Sequence, residues 1–476
     1  MRSSAIIGLA TSLFAVADAH TLFTSLYIND VKQGQGDGTC VRQNTDLAHG
    51  NSPVVDLSSD DMVCGFDGTV PVNYTCPAPA GAKLTFEYRL NPARAGTGFI
   101  DESHKGPVAV YAKRLSSPDA DAAGPGWFKL WGEGYDMDAD KWATEKFIDT
   151  NGLISIQIPT GLPAGNYLFR PEVVAMHNVT PEVEPQFYIG CAQVFLESSV
   201  TAELDILSEK SVSIPGYLTK EDPSVTYNIY SDEEYSDPKK PYPMMGPEPF
   251  APAAVQKAAS GNVVRQTEGD IPDSCLLLNA NWCGVEVPSY KDNSTGCWNA
   301  LTDCWSQANA CWAQQMPSGG RNCEVWGDKC KDIDAHCSAK DYTGPPAYDL
   351  KSDDYSAPGP IPAPLNAEDA LEDASSDASS SSSSSSETES TTHIVVTSSV
   401  PVTVTVIPTP SSSSTASLEP IPDFTPRPSQ TPKPKPHCGG RRRRGMSQQH
   451  LGVGGWSKLS TVFNSPPRMA PEAPLI

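Results

Sequence analysis

Six of the chain's thirteen cysteines form two trios with a seven-residue step: Cys297, Cys304, Cys311, then Cys323, Cys330, Cys337. No other feature limits the folding of this sequence so narrowly. Seven residues are about two helical turns, so each trio runs along one face of a helix with a slight drift. Pro317-Ser-Gly-Gly320 lies between the trios and supplies a turn. Two helices folded back antiparallel pair Cys297 with Cys337, Cys304 with Cys330, and Cys311 with Cys323. Cys275 and Cys283 are then left to pair locally. The expectation is a disulfide-laddered helical hairpin over residues 273–340. A tryptophan follows each cysteine of the first trio: Trp298, Trp305 and Trp312. They form either an aromatic strip that stacks on sugar rings or a cover for the small core beside the disulfides. The second reading is preferred, because tryptophan is usually mostly buried.

Cysteines used as staples belong to an oxidising compartment. The N-terminus agrees, with Arg2, an apolar run from Ala5 to Val16, and small Ala17 and Ala19 placed as signal peptidase needs. Residues 1–19 therefore read as a signal peptide and the protein as secreted and extracellular. The run is too short to span a bilayer, and no later segment is long and apolar enough to do so. Asn-x-Ser/Thr sequons at Asn73, Asn178 and Asn293 add to this reading. The net charge of −23 excludes general nucleic-acid binding, which needs cationic surface. A neutral polysaccharide meets no such penalty.

Cleavage after Ala19 gives His20 a free amino group, and that amine with the imidazole Nδ1 can chelate one metal ion. A second histidine would complete three nitrogens, a donor set that favours Cu(II). His104 is a candidate, in the polar loop Asp101-Glu-Ser-His-Lys-Gly-Pro-Val108. A third group sits in His177-x8-Gln186-Phe-Tyr188-Ile-Gly-Cys191, where alternation puts Gln186 and Tyr188 on one strand face.

Residues 20–250 read as one all-β unit. Short runs such as Lys83–Tyr88, Val108–Ala112, Leu153–Ile158, Asn166–Phe169, Gln186–Ile189 and Gln193–Leu196 alternate with Gly, Pro, Asn and Asp. That rhythm belongs to a β-sandwich rather than to βαβ units. Pro238 to Pro252 is proline-rich and reads as the exit, with a linker over 251–272. Beyond the cysteine block, residues 341–436 are rich in Pro, Ser and Thr and cannot bury enough apolar surface to fold. Residues 437–476 form a basic tail with Arg441–Arg444, and Cys438 there has no evident partner.

The mature start at His20, the Ser-His-Lys-Gly-Pro loop and the His-x8-Gln-x-Tyr stretch together resemble auxiliary activity family 9. These are the fungal copper-dependent lytic polysaccharide monooxygenases, formerly glycoside hydrolase family 61. Supporting stretches are Ser52-Pro-Val-Val, Asp60-Asp-Met-Val-Cys64, Gly124-Pro-Gly-Trp-Phe-Lys129, Tyr167-Leu-Phe-Arg-Pro-Glu172, Pro185-Gln-Phe-Tyr-Ile-Gly-Cys-Ala-Gln193 and Val212-Ser-Ile-Pro-Gly-Tyr217.

The resemblance implies an immunoglobulin/fibronectin-like sandwich holding one copper ion. His20 and His104 would be ligands, Tyr188 the distant axial group, and His177 and Gln186 the outer shell. It implies oxidative cleavage at C1, C4 or both of cellulose or a related β-1,4-glucan, by a monomeric enzyme using O2 or H2O2 and an external electron donor, a small reductant or a redox enzyme. It also suggests a Cys64–Cys191 disulfide, with Cys40–Cys76 remaining. The sequence departs from the family pattern in three places. The loop after Ile28 carries no tyrosine for a flat glucan-binding face, leaving Tyr217 as the candidate contact. Pro171 stands where many members have histidine. The Asn178 sequon adjoins His177 and is followed by Pro181, so poor occupancy is expected there, with glycans at Asn73 and Asn293. His49 matches no ligand motif and is read as a surface residue. The cysteine block differs from the usual small fungal cellulose-binding module. The alternative function is a copper-binding surface or cell-wall protein without polysaccharide cleavage.

Overall fold

The structure is a computed structural model that describes residues 20–34, 38–42, 50–90, 98–180, 182–230, 241–252, 262–316, 318–351 and 357–367. The expected signal peptide, His49, the Ser/Thr-rich stretch beyond 367, Cys438 and the basic tail lie outside the described residues.

The chain opens with β1 (Leu22–Ile28), β2 (Val31–Lys32) and β3 (Val41–Arg42), then the single turn α1 (Asp61–Cys64). Next come β4 (Cys76–Pro79), β5 (Lys83–Arg89), β6 (Val108–Leu115), β7 (Gly124–Glu133), β8 (Tyr135–Asp136) and β9 (Lys141–Trp142). The short helix α2 (Ala143–Asp149) precedes β10 (Leu153–Gln157), β11 (Gly165–Ala175), β12 (Gln186–Ile189), β13 (Cys191–Glu197) and β14 (Ser211–Ile214). A four-stranded sheet in the order β10-β5-β1-β2 faces a larger one in the order β14-β7-β6-β11-β13-β3, where β12 also pairs with β11 and β4 with β13.

Alternation along the strands explains the layering. Leu84, Phe86 and Tyr88 of β5 and Ile154 and Ile156 of β10 meet Val110 and Ala112 of β6 and Phe169 and Val173 of β11 in one buried cluster. The intervening residues of the large sheet, Ala109, Tyr111, Leu168 and Val174, point outward into a second cluster with Trp127, Trp142, Ile214, Tyr242 and Met245. The architecture is therefore a β-sandwich whose larger sheet is covered on both faces. The proline-rich stretch after 240 does not leave at once: the Phe250 N–H donates to the Lys129 carbonyl at 2.7 Å.

Beyond the sandwich, β15 (Leu277–Asn279) and β16 (Trp282–Gly284) form a small hairpin, followed by α3 (Ser294–Ala313) and α4 (Arg321–Ser338). The Asn293 side chain accepts the Gly296 N–H and caps α3. Disulfides join Cys297–Cys337, Cys304–Cys330 and Cys311–Cys323 across the two helices, and Cys275–Cys283 closes the hairpin. Cys40–Cys76 and Cys64–Cys191 staple the sandwich. Val72 packs with Ala280 and Met316, and Asn73 donates two hydrogen bonds to Asn281, through its backbone N–H to Oδ1 and through Nδ2 to the carbonyl, so the helical unit rests against the sandwich.

Two expectations need correction. Trp298, Trp305 and Trp312 do not cover the small core; that role belongs to Trp282 and Trp326, whose rings meet edge to face at 5.3 Å. The Trp326 indole N–H donates to the Cys304 carbonyl, which a helix-face pattern of cysteines does not reveal. The stretch from 341 onward is also not wholly without structure. The Leu365 N–H donates to the Ser155 carbonyl, and Asn366 bonds the Gln157 backbone twice, so residues 357–367 dress the outer edge of β10.

Candidate active site

His20 stands two residues before Leu22, where β1 begins, and is half-buried. His104 lies in the loop before β6 and is 4 % exposed. That loop is stitched to β11 and its continuation. The Val174 N–H donates to the Pro107 carbonyl at 3.0 Å and the Met176 N–H to the Lys105 carbonyl at 2.8 Å. Gly106 runs so close to β11 that a Cβ there would collide with the Val174 carbonyl. Its N–H donates to Thr144 Oγ1 at the start of α2. The zipper ends one residue before His177, which brings the His104 and His177 rings to 4.1 Å.

Tyr188 enters from β12, which pairs with β11 through Val173–Tyr188 and Ala175–Gln186. Alternation puts Gln186 on the same face, and the Tyr188 hydroxyl donates to Gln186 Oε1 at 3.0 Å. Behind it, the buried Tyr88 hydroxyl donates to the Pro171 and Tyr188 carbonyls. The Cys64–Cys191 bond pins the chain three residues further on.

His20, His104 and Tyr188 form a nearly equilateral triangle of rings. The centroids are 6.3 Å apart for His20–His104, 6.0 Å for His20–Tyr188 and 6.1 Å for His104–Tyr188. The two imidazoles meet at 84°. His104 Nδ1 lies 3.3 Å from Ser103 Oγ, which leaves Nε2 as the donor atom of that ring. Burial first, and His177 second, push the His104 imidazole down to about 4, so at neutral pH it is the uncharged form that ligates metals. Burial likewise lowers His177 and raises the Tyr188 phenol, which stays protonated. His177 Nε2 meets Asn178 Nδ2 at 2.8 Å, while its Nδ1 is buried with no hydrogen-bond partner.

This donor set fits a copper ion. It presents two imidazoles, one held neutral by burial, beside a protonated phenol, with a ring separation that spans an ion roughly 2 Å from each nitrogen. Among the described residues no three His, Cys, Asp or Glu side chains converge as a metal site. Here the third nitrogen would be a main-chain amine, not a side chain.

Tyr217 is elsewhere. Its ring packs on Tyr111 at 5.8 Å and beneath the Arg170 guanidinium, and its hydroxyl donates to Glu172. These partners lie on the face of the large sheet opposite Tyr188, and Tyr217 keeps only part of its surface open. The sequon asparagines Asn73 and Asn293 are exposed. Asn178 is exposed as well; its Nδ2, the atom a glycan would take, is engaged with His177, just as Asn73 Nδ2 is with the Asn281 carbonyl. Sequence reasoning missed Gly106, Thr144 and Tyr88. Only Gly106 carried a signal, as the Gly-Pro pair that ends the His104 loop.

The profile of Auxiliary Activity family 9 (formerly GH61) matches residues 20–240. The chain is 45 % identical over 342 residues to AA9 family lytic polysaccharide monooxygenase H of Botryotinia fuckeliana, covering 70 % of this chain and 76 % of that one. It is 42 % identical over 343 residues to AA9 family lytic polysaccharide monooxygenase C of Aspergillus tamarii, covering 70 % and 89 %. It is 40 % identical over 348 residues to AA9 family lytic polysaccharide monooxygenase A of Emericella nidulans, covering 72 % and 59 %. At 70 % coverage the likeness extends past residue 240, into the region that follows the sandwich.

Proposed function

The chain belongs to auxiliary activity family 9, the copper-dependent lytic polysaccharide monooxygenases, and from that premise we propose that it is secreted and cleaves cellulose or a related β-1,4-glucan at C1, C4 or both. The observation that carries the reading is the ring triangle of His20, His104 and Tyr188 backed by Gln186 and His177. The sandwich is read as immunoglobulin/fibronectin-like, the copper domain as residues 20–250, and the disulfide-laddered hairpin of 273–340 as a separate module. The working enzyme is read as a monomer.

Removal of residues 1–19 would free the His20 amine, so that His20 holds one copper ion through that amine and Nδ1, with His104 as the second side-chain ligand. Bound there, copper supplies the redox chemistry that oxidises the glucan with O2 or H2O2 and an external electron donor. His104, held neutral by burial at neutral pH, would bind the ion without giving up a proton. Tyr188 would border the ion with a phenol that Gln186 orients. Gln186 accepts from that phenol through Oε1, which leaves its amide N–H groups to donate into the site. His177, its ring tilted by 40° against that of His104, supplies a second polar group there. Such outer groups tune and aim a metal site rather than hold it. Tyr217 would touch the polymer only with the part of its ring that Tyr111 and Arg170 leave open. A metal-capture role without cleavage is the weaker reading, because capture alone needs neither Gln186 nor His177.

The test incubates copper-loaded protein and reductant with a panel of glucans and analyses the soluble products by mass spectrometry. Oxidised oligosaccharides are expected. Tight copper binding with no oxidised product from any polysaccharide would overturn the assignment.

A further inference from the structure

Trp298, Trp305 and Trp312 stand out along α3 with 42 %, 36 % and 42 % of their surface open, while the neighbouring Cys297, Cys304 and Cys311 are sealed. Seven residues advance about 10.5 Å along a helix and complete almost two turns, so the three indoles form a nearly straight row roughly 21 Å long. Exposed Thr302 and Asn309 fall between them on the same face, giving the order Trp, Thr, Trp, Asn, Trp. Asp303 is the only charged residue in this twenty-residue helix. The outer face of α4, by contrast, carries Glu324, Asp328, Lys331 and Asp334. The indoles are not needed inside, since Trp282 and Trp326 already fill the core of the unit. Trp312 is further fixed by Gly320, where a Cβ would lie 2.7 Å from its ring.

We propose that this face of α3 is a binding strip for β-1,4-linked glucan, distinct from the site at His20. The inference rests on the reading of the enzyme as glucan-active and assigns a second contact to the same polymer. A pyranose ring offers a flat C–H face to an indole, and in a β-1,4-linked chain each ring is flipped relative to the last. The same face therefore returns once per disaccharide, a repeat close to the two-turn step of the helix. The three indoles then catch alternate rings, and Thr302 and Asn309 meet the hydroxyl groups between them. An uncharged strip suits a neutral polymer. Three cross-links across α3 and α4 hold the row in place before binding, so little ordering is lost on contact.

The pattern fits an extended ligand better than a protein. Protein hot spots cluster at the centre of a patch rather than run in file. Pairing with a second helix would need a neighbouring apolar row, and the positions that would supply it, Leu301 and Ala308, are buried within the unit.

The test measures depletion of full-length, copper-stripped protein by microcrystalline cellulose, without reductant so that no turnover intervenes. Each single Trp→Ala change is expected to weaken retention about three- to tenfold, and the triple change by about a hundredfold or more. Trp305→Tyr should restore most of the loss of Trp305→Ala. Because Trp298 and Trp305 lie outside the core of the unit, their single Ala variants should melt near the unaltered value, while loss of Trp312, packed on Gly320, should lower the melting temperature modestly without unfolding the unit. Copper-loaded triple variant should oxidise soluble cello-oligosaccharides at the unaltered rate. Equal retention of the triple variant and the unaltered protein overturns the strip. So does a protein that oxidises cellulose but shows no copper-independent retention, which leaves the enzymatic reading intact. Tryptophan-dependent retention without oxidation of any glucan supports the strip and sinks the enzymatic reading instead. A dimer in sedimentation that the triple change dissolves would assign the row to a second copy and overturn the proposal.

Discussion

Replacing Glu172 by Gln probes how the strand behind Tyr188 is held. Arg170 and Glu172 on β11 are essentially sealed from solvent, and Arg170 Nη1 donates to Glu172 Oε2 at 2.6 Å. The same guanidinium donates through Nε to the Val63 carbonyl at 2.9 Å and through Nη2 to the Met62 carbonyl at 2.9 Å. It thereby clasps α1 just before Cys64, whose disulfide reaches Cys191 beyond Tyr188. Burial alone would pull the Arg170 guanidinium down; the carboxylate of Glu172 outweighs that and holds it above its ordinary value. Glu172 also faces the buried Lys129 ammonium, which burial lowers to about 8.

Glutamine keeps the shape and removes the counter-charge, leaving a buried cation. Breaking such a pair costs about 3–5 kcal/mol. Because the amide oxygen still accepts one hydrogen bond, the lower end applies, about 3 kcal/mol. For a domain of this size that is a fall in melting temperature of about 6–12 °C. Tyr217→Phe removes one hydrogen bond to the same carboxylate and should cost about 1.5–3 kcal/mol. The double change should cost less than the sum, since both act on one carboxylate. Thermal and urea unfolding of the three variants supply the numbers. A Glu172→Gln protein that melts within about 2 °C of the unaltered one would refute the reasoning.

Other expectations follow from the site and its supports. Gly106→Ala should force the His104 loop off β11, costing about 1–3 kcal/mol in urea unfolding and weakening copper binding in titration. Cys304→Ala with Cys330→Ala opens a 26-residue separation and should cost about 3 kcal/mol, seen as faster proteolysis in α3 and α4 with copper affinity unchanged. Tyr188→Phe removes the hydroxyl that Gln186 receives; copper binding should persist, while the electron paramagnetic resonance spectrum shifts and turnover falls.

The periodic features of this chain were legible as sequence. The seven-residue cysteine step and the pairing of positions 186 and 188 on one face rest on helix or strand repeats, which are local properties of the backbone. The triangle of His20, His104 and Tyr188 was reachable only through the family pattern, because its members come from a chain start, a loop and a strand whose meeting is tertiary. The exposure of Trp298, Trp305 and Trp312 was not legible. A tryptophan beside a buried cysteine has one helical step, about 100°, between it and the core, and only the identity of the core tryptophans decides which side it takes. Trp282 and Trp326 take those places from separate elements. The docking of residues 357–367 on β10 escaped for a related reason: one asparagine, Asn366, makes the bonds inside a stretch whose composition argues against structure.

The central claim is that the copper site is assembled from the first residue of the mature protein, so the most direct measurement titrates Cu(II) into two proteins. One begins at His20, and the other carries a single uncleavable residue before it. The account predicts one tight site in the first and a loss of affinity of about a hundredfold or more in the second, because the amine nitrogen has become an amide. Equal affinity in the two proteins would contradict it.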